Sequence, residues 1–181
     1  MKPAYYILAI TINIVAVTGC QTKVDSVATA LPPTPELTVF EGLPHQHWEE
    51  DLLAKELESK ETIRIAGHPF YQPTLEIGDA DKLAIVATLS DPKARRQIHG
   101  NTVKTCGGFH PDYAVCWTAD KRKYCVLVCF GCAEFEFYRD EEQVARYDIR
   151  SMELMTILDK YHNLRPESDH RKLPAWLKSK K

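Results

Sequence analysis

The pattern of apolar and polar positions divides the chain into a leader-like start, a featureless connector and a folded middle. Residues Tyr5 to Val17 (YYILAITINIVAV) form a largely apolar run behind Met1-Lys2 and ahead of the small residues Thr18-Gly19. A core of about a dozen residues is shorter than the roughly 20 that span a bilayer as a helix, so the run reads as a secretory signal and not as structure of the mature protein. From Gln21 to about Phe40 no amphipathic period is present, and the Pro-rich Leu31-Pro-Pro-Thr-Pro35 predicts a flexible tether. Trp48, Leu52, Leu53 and Leu57 then recur at helical spacing. With Glu49, Glu50 and Asp51 in the first turn, where the helix dipole favours them, they predict a helix over 48–59.

Thr62-Ile-Arg-Ile65 alternates like a strand, while Gly67-His-Pro-Phe-Tyr-Gln-Pro73 predicts a loop, because two prolines interrupt a regular ladder. Asp79 is a candidate N-cap for a second helix carrying Leu83, Val86 and Ala87 and stopping at Asp91-Pro92. Short β-branched and aromatic runs follow at 113–118, 123–130, 133–138 and 144–149, separated by polar breaks, and they predict an antiparallel meander. Phe135 and Phe137 share one face and Glu134 and Glu136 the other, so that strand is expected to be covered on one side only. Ser151 can cap a last helix with an apolar stripe of Leu154, Ile157, Leu158 and Tyr161. The expected fold class is α+β: a small antiparallel meander of about four to five strands with two to three helices on one face.

Composition changes this picture little. Once residues 1–19 are removed, roughly 160 residues remain, enough for one domain with a real core. The predicted organisation is a signal over 1–19, Cys20 and a tether over 20–40, one domain over 41–162, and a basic, poorly ordered tail over 163–181. The net charge is −2 with both signs interspersed, which argues against a nucleic-acid surface.

Val17-Thr-Gly-Cys20, at the end of the signal-like core, resembles the lipobox of bacterial lipoproteins. That resemblance implies cleavage after Gly19, lipidation of Cys20 and stable anchoring to the bilayer through two or three acyl chains such as palmitate. Gln21, where an Asp usually means inner-membrane retention, implies the outer membrane for a Gram-negative source.

Export makes the cysteines disulfide candidates. If the break after Thr118 is a two-residue turn at Asp120-Lys121, Cys116 faces Cys125 at a non-hydrogen-bonded site. The Cα separation there, roughly 4.5 Å, lies at the short end of the disulfide range. Cys106, Cys129 and Cys132 remain, and three readings stay open for them. Cys106 can bond Cys129 or Cys132, leaving a buried thiol. Cys106, His110, Cys129 and Cys132 can supply four N/S donors suited to tetrahedral zinc. Cys129-Phe-Gly-Cys132 can act as a redox couple, although strand-like flanks deny it the helix N-terminus that activates such a thiol. Ala133 excludes the CxxCH attachment of a c-type haem. Two imidazoles in Pro44-His-Gln-His47 lie on one side of an extended segment and are also candidate ligands, against the plainer reading of a solvated loop.

Phe40-Glu-Gly-Leu-Pro-His-Gln46, Gly67-His-Pro-Phe-Tyr71, Cys106-Gly-Gly-Phe-His-Pro-Asp-Tyr113 and Cys129-Phe-Gly-Cys132 together resemble a family of uncharacterised bacterial lipoproteins abundant among planctomycetes. The resemblance runs from about Phe40 to Tyr161. It implies that the Cys106 motif and the CxxC belong together, and it brings no activity. Family members often have His after the CxxC, where this chain has Ala133, a departure that weakens any metal role for that position. The functional expectation is a non-enzymatic envelope accessory or binding domain, with the bilayer and an envelope protein or polymer as partners. The alternative is a thiol-disulfide or zinc-dependent protein built on Cys106, His110, Cys129 and Cys132.

Overall fold

Tight turns set the register of the sheet. Asp120-Lys121 and Asp140-Glu141 both have positive φ at each central residue (50° and 62°, 49° and 70°), the two-residue hairpin geometry whose twist matches the strands it joins. A computed structural model describes residues 26–31, 36–100 and 107–175. The signal run, Cys20 and Cys106 lie outside the described residues.

In chain order, Ser26–Ala30 makes one helical turn (α1), Thr38–Glu41 a strand (β1) and Glu50–Ser59 a helix (α2). Thr62–Ile65 and His68–Tyr71 (β2, β3) pair as a hairpin, and Asp79–Ser90 is a helix (α3) that ends before Pro92. Arg95–Gln97 is a short strand (β4). Tyr113–Ala119, Arg122–Cys129, Glu134–Arg139 and Glu142–Ile149 form the meander (β5 to β8), and Glu153–Asp159 is the last helix (α4). The large sheet has the order β1-β5-β6-β7-β8-β4 with antiparallel pairing throughout.

The α+β class and the meander are as expected; the sheet is wider than expected, because β1 and β4 add an edge on each side. One face carries Val115, Trp117, Val126, Val128, Phe135, Phe137 and Tyr147, packed on Ile85 and Leu89 of α3 and on Leu154, Met155 and Leu158 of α4. On the other face Ala114, Cys116, Cys125 and Leu127 pack against Ile65 and Phe70 of the β2–β3 hairpin.

Five local expectations need correction. The stretch 67–73 is not all loop. Pro69 sits opposite Arg64, next to the turn pair Ile65 and His68, at a non-hydrogen-bonded position where its missing N–H costs nothing. In α3, Leu83 is exposed and Ile85, Thr88 and Leu89 face the core. Glu134 and Glu136 are buried rather than solvated, because Arg146 on the neighbouring strand reaches both, at 3.1 and 3.4 Å. The tether is structured in part: Val27 is fully buried, and Trp117 Nε1–H donates to the Ala30 carbonyl at 2.9 Å. The tail is structured through residue 175 as well, for reasons that belong to the site below.

Candidate functional site

Three loops meet beyond the end of β6, and the segment after α4 closes over them. Cys129 ends β6, and the turn that follows is closed by Ala133 N–H to the Phe130 carbonyl at 3.1 Å, with Ala133 at φ 50°. The turn brings Cys132 N–H to within 3.3 Å of Cys129 Sγ. The second loop runs from Gly107 to Asp112. Gly107 has φ +86°, and a Cβ there would stand 2.8 Å from Trp48 Nε1, so glycine is needed both for the backbone and for the space. The third loop, 43–49, leaves β1 at Gly42, where a Cβ would lie 2.1 Å from the Pro111 carbonyl.

These loops carry charges into the interior, and residues 162–172 supply the partners. Glu41 Oε2 accepts from the N–H groups of Asn163, Leu164 and Arg165 at 3.2, 2.7 and 3.3 Å, while Oε1 meets His162 Nδ1. Asp112 Oδ2 accepts Phe130 N–H at 2.7 Å, and its Oδ1 faces Arg165 Nη1 at 3.1 Å. Arg165 Nη2 also donates to Glu49 Oε2, which in turn accepts His45 N–H at 2.8 Å. Arg171 lies between Asp112 (3.8 Å) and Asp159 (3.5 Å), and Lys172 Nζ stands 4.6 Å from the Trp48 ring centre. The "basic tail" is therefore a strap: Arg165 and Arg171 are both 4% exposed, because each neutralises carboxylates that would otherwise be buried alone.

No protein-family model matches the chain, and no curated protein or solved structure is similar to it.

The expected bridge is present: Cys116 and Cys125 are directly opposed across β5 and β6 and are disulfide-bonded. Cys132 is also disulfide-bonded, and Cys129 is a free buried thiol. Since the four described cysteines are then accounted for, the partner of Cys132 lies outside the described residues. A sulfur held in a disulfide is not the thiolate that zinc takes. Cys106 lies outside the described residues, so of the four candidate zinc donors the structure brings His110 and Cys129 to one cavity and leaves Cys132 bonded elsewhere. Among the described residues, no three His, Cys, Asp or Glu side chains converge on a metal position.

Burial pushes the Cys129 thiol up to about 12, and the Asp112 charge pushes the same way; the N–H groups of His110 and Cys132 at the sulfur oppose them without prevailing. At neutral pH the group is a thiol and a weak nucleophile. Burial holds His110 well below the usual histidine range, at about 4, with the Asp112 charge opposing, and it lowers His45 for the same reason. Both rings are neutral at pH 7. Sequence reasoning singled out His45, His47, His110 and the cysteines; the His47 side chain is exposed, and His47 reaches the interior through its main-chain N–H, which donates to the His45 ring. It missed Glu41, Glu49, Asp112 and Arg165. Asp112 stands inside the Cys106–Tyr113 motif and could have been suspected there, whereas Arg165, amid basic and polar residues, carried no signal.

Proposed function

We propose that this chain is an exported lipoprotein, anchored to a membrane through lipid on Cys20, and that its domain serves as a non-enzymatic accessory or binding module of the cell envelope. The observation that carries the reading is disulfide bonding at Cys116, Cys125 and Cys132, since such bonds persist in exported and not in reducing compartments. The signal-like run and Val17-Thr-Gly-Cys20 supply the route and the anchor. Gln21 favours the outer membrane in a Gram-negative cell, and an envelope protein or polymer is the expected partner. The lipoprotein family resembled over 40–161 belongs to the same proposal. Cys20→Ser tests it: membrane retention and incorporation of labelled palmitate are both expected to be lost. A variant processed and retained like the parent would overturn the proposal.

A second reading, thiol-disulfide exchange at Cys129-Phe-Gly-Cys132, is favoured by one observation. Cys129 Sγ receives two main-chain N–H groups and sits beside a disulfide-bonded Cys132. Its high pKa argues against it. Insulin reduction separates the two: turnover abolished by Cys129→Ser would replace the accessory reading, and its absence leaves the cysteines structural.

A further inference from the structure

His45 and His110 stand with their ring centres 4.5 Å apart, and the main chain fixes each in a different tautomer. The N–H of His47 donates to Nδ1 of His45 at 3.0 Å. A main-chain N–H can only donate, so Nδ1 of His45 holds a lone pair and the neutral ring carries its hydrogen on Nε2. His110 is the reverse. Its ring bonds the Leu43 main chain in the sense that favours the protonated ring, which makes the ring the donor and the Leu43 carbonyl the acceptor. Nε2 of His110 has no hydrogen-bond partner among the described residues, so the donor is Nδ1 and Nε2 keeps the lone pair. Nε2–H of His45 is likewise buried and without a partner among the described residues, in a side chain 6% exposed.

A buried donor and a buried acceptor thus stand side by side, each costly to leave unmade. Both rings line one cavity with Cys129, Asp112 and Arg165. Its volume of about 10 Å³ is the space the centre of one water needs, and such a water is held by two to four polar partners.

We propose that His45, His110 and Cys129 form a binding site for a single water-sized neutral molecule, water in the resting protein, which accepts from Nε2–H of His45 and donates to Nε2 of His110. The Cys129 thiol stands beside it as a third polar partner. The site discriminates against cations for a reason built into its hydrogen bonds. For Nε2 of His45 to ligate a metal, the ring hydrogen would have to move to Nδ1, where it would meet the N–H of His47. A trapped water of this kind stands between the Cys129 thiol and the Nε2 lone pair of His110.

Long-range proton–nitrogen NMR of the imidazoles, on the full-length chain in detergent, tests this directly. The expected result is protonated Nε2 in His45, protonated Nδ1 in His110, and an exchange-resistant cross-peak from the His45 Nε2 proton to a bound water. One equivalent of Zn²⁺ should leave both rings unshifted. The opposite tautomer in either ring, the correct tautomers without the water cross-peak, or a zinc-induced shift of His110 Nε2 would each overturn the proposal, the last by making the cavity a metal centre.

Discussion

The face of the sheet under α3 and α4 and the cluster beneath the 162–172 strap are both nearly inaccessible to water, yet they are held by different physics. Under the helices, Phe137, Ile85 and Leu158 are 1% exposed or less and gain free energy in proportion to the area they hide, about 25 cal/mol per Å². Beneath the strap, Glu49, Asp112 and Arg165 are buried as ions. Their mutual attraction offsets a desolvation cost of similar size, so the arrangement adds little net stability while complete and costs much when one member is lost. The apolar layer degrades gradually; the ionic one is close to all-or-none.

The largest effect expected follows from that contrast. Arg165→Met should lower the unfolding free energy by about 3–5 kcal/mol, because Glu49 loses its cation and Asp112 keeps only the more distant Arg171. Adding Glu49→Gln and Asp112→Asn should restore part of it, as urea titration would read. Leu158→Ala, with a loss in the same range, has no second-site variant of this kind. If the neutralised triple variant is no more stable than Arg165→Met alone, the strap is held by packing and the comparison fails.

Acid should separate the regions next. His110 is held near 4 in the folded chain against an ordinary 6.5, so between those values the unfolded chain binds the extra proton. The contribution of this ring therefore makes stability rise with pH across the window and fall as pH drops from 6.5 through 4, by at most about 3 kcal/mol once below both values, and the lowered His45 and His68 act in the same direction. Urea midpoints at pH 7, 5.5 and 4.5 would show the slope, and His110→Asn should reduce it, leaving the part due to His45 and His68. A slope unaltered in His110→Asn would mean that the ring is not held neutral by burial.

A smaller effect belongs to the opposite face. Cys116 and Cys125 are 9 residues apart, and closing so short a loop contributes about 2–3 kcal/mol through the unfolded state. Replacing both by Ala should cost that much in thermal unfolding without changing the pH slope. A changed slope would show that the two faces are coupled.

Residues whose partners lie near in sequence were the legible ones. Asp120-Lys121 fixes the β5–β6 register, and with it the Cys116–Cys125 bridge, within a span of ten or so residues where turn chemistry and alternation suffice. Leu154, Ile157 and Leu158 likewise reveal a buried helical face by spacing alone, and all three are buried. Illegible were positions whose environment is made by distant chain. Glu134 and Glu136 alternate as solvent-facing residues do, and their burial is made tolerable by Arg146 across the strand, with the Tyr138 hydroxyl donating to Glu136 as well. Thr38–Glu41 gives no period of its own and becomes a strand because β5 is there to pair with it. Arg165 has the composition of a tail around it, and its carboxylate partners Asp112 and Glu49 lie 53 and 116 residues earlier.

That last separation bears on how the chain is completed during synthesis. Glu41, Glu49 and Asp112 emerge well before the residues that neutralise or cradle them, so the loops of the site have no stable dry arrangement until Arg165 and Arg171 arrive. A chain broken off after α4 would hold every strand of the sheet and still leave Glu41, Glu49 and Asp112 facing the interior without Arg165 or Arg171, Glu41 also without its three main-chain donors. A copy broken off there is thus expected to keep that end of the domain wet and open to proteases.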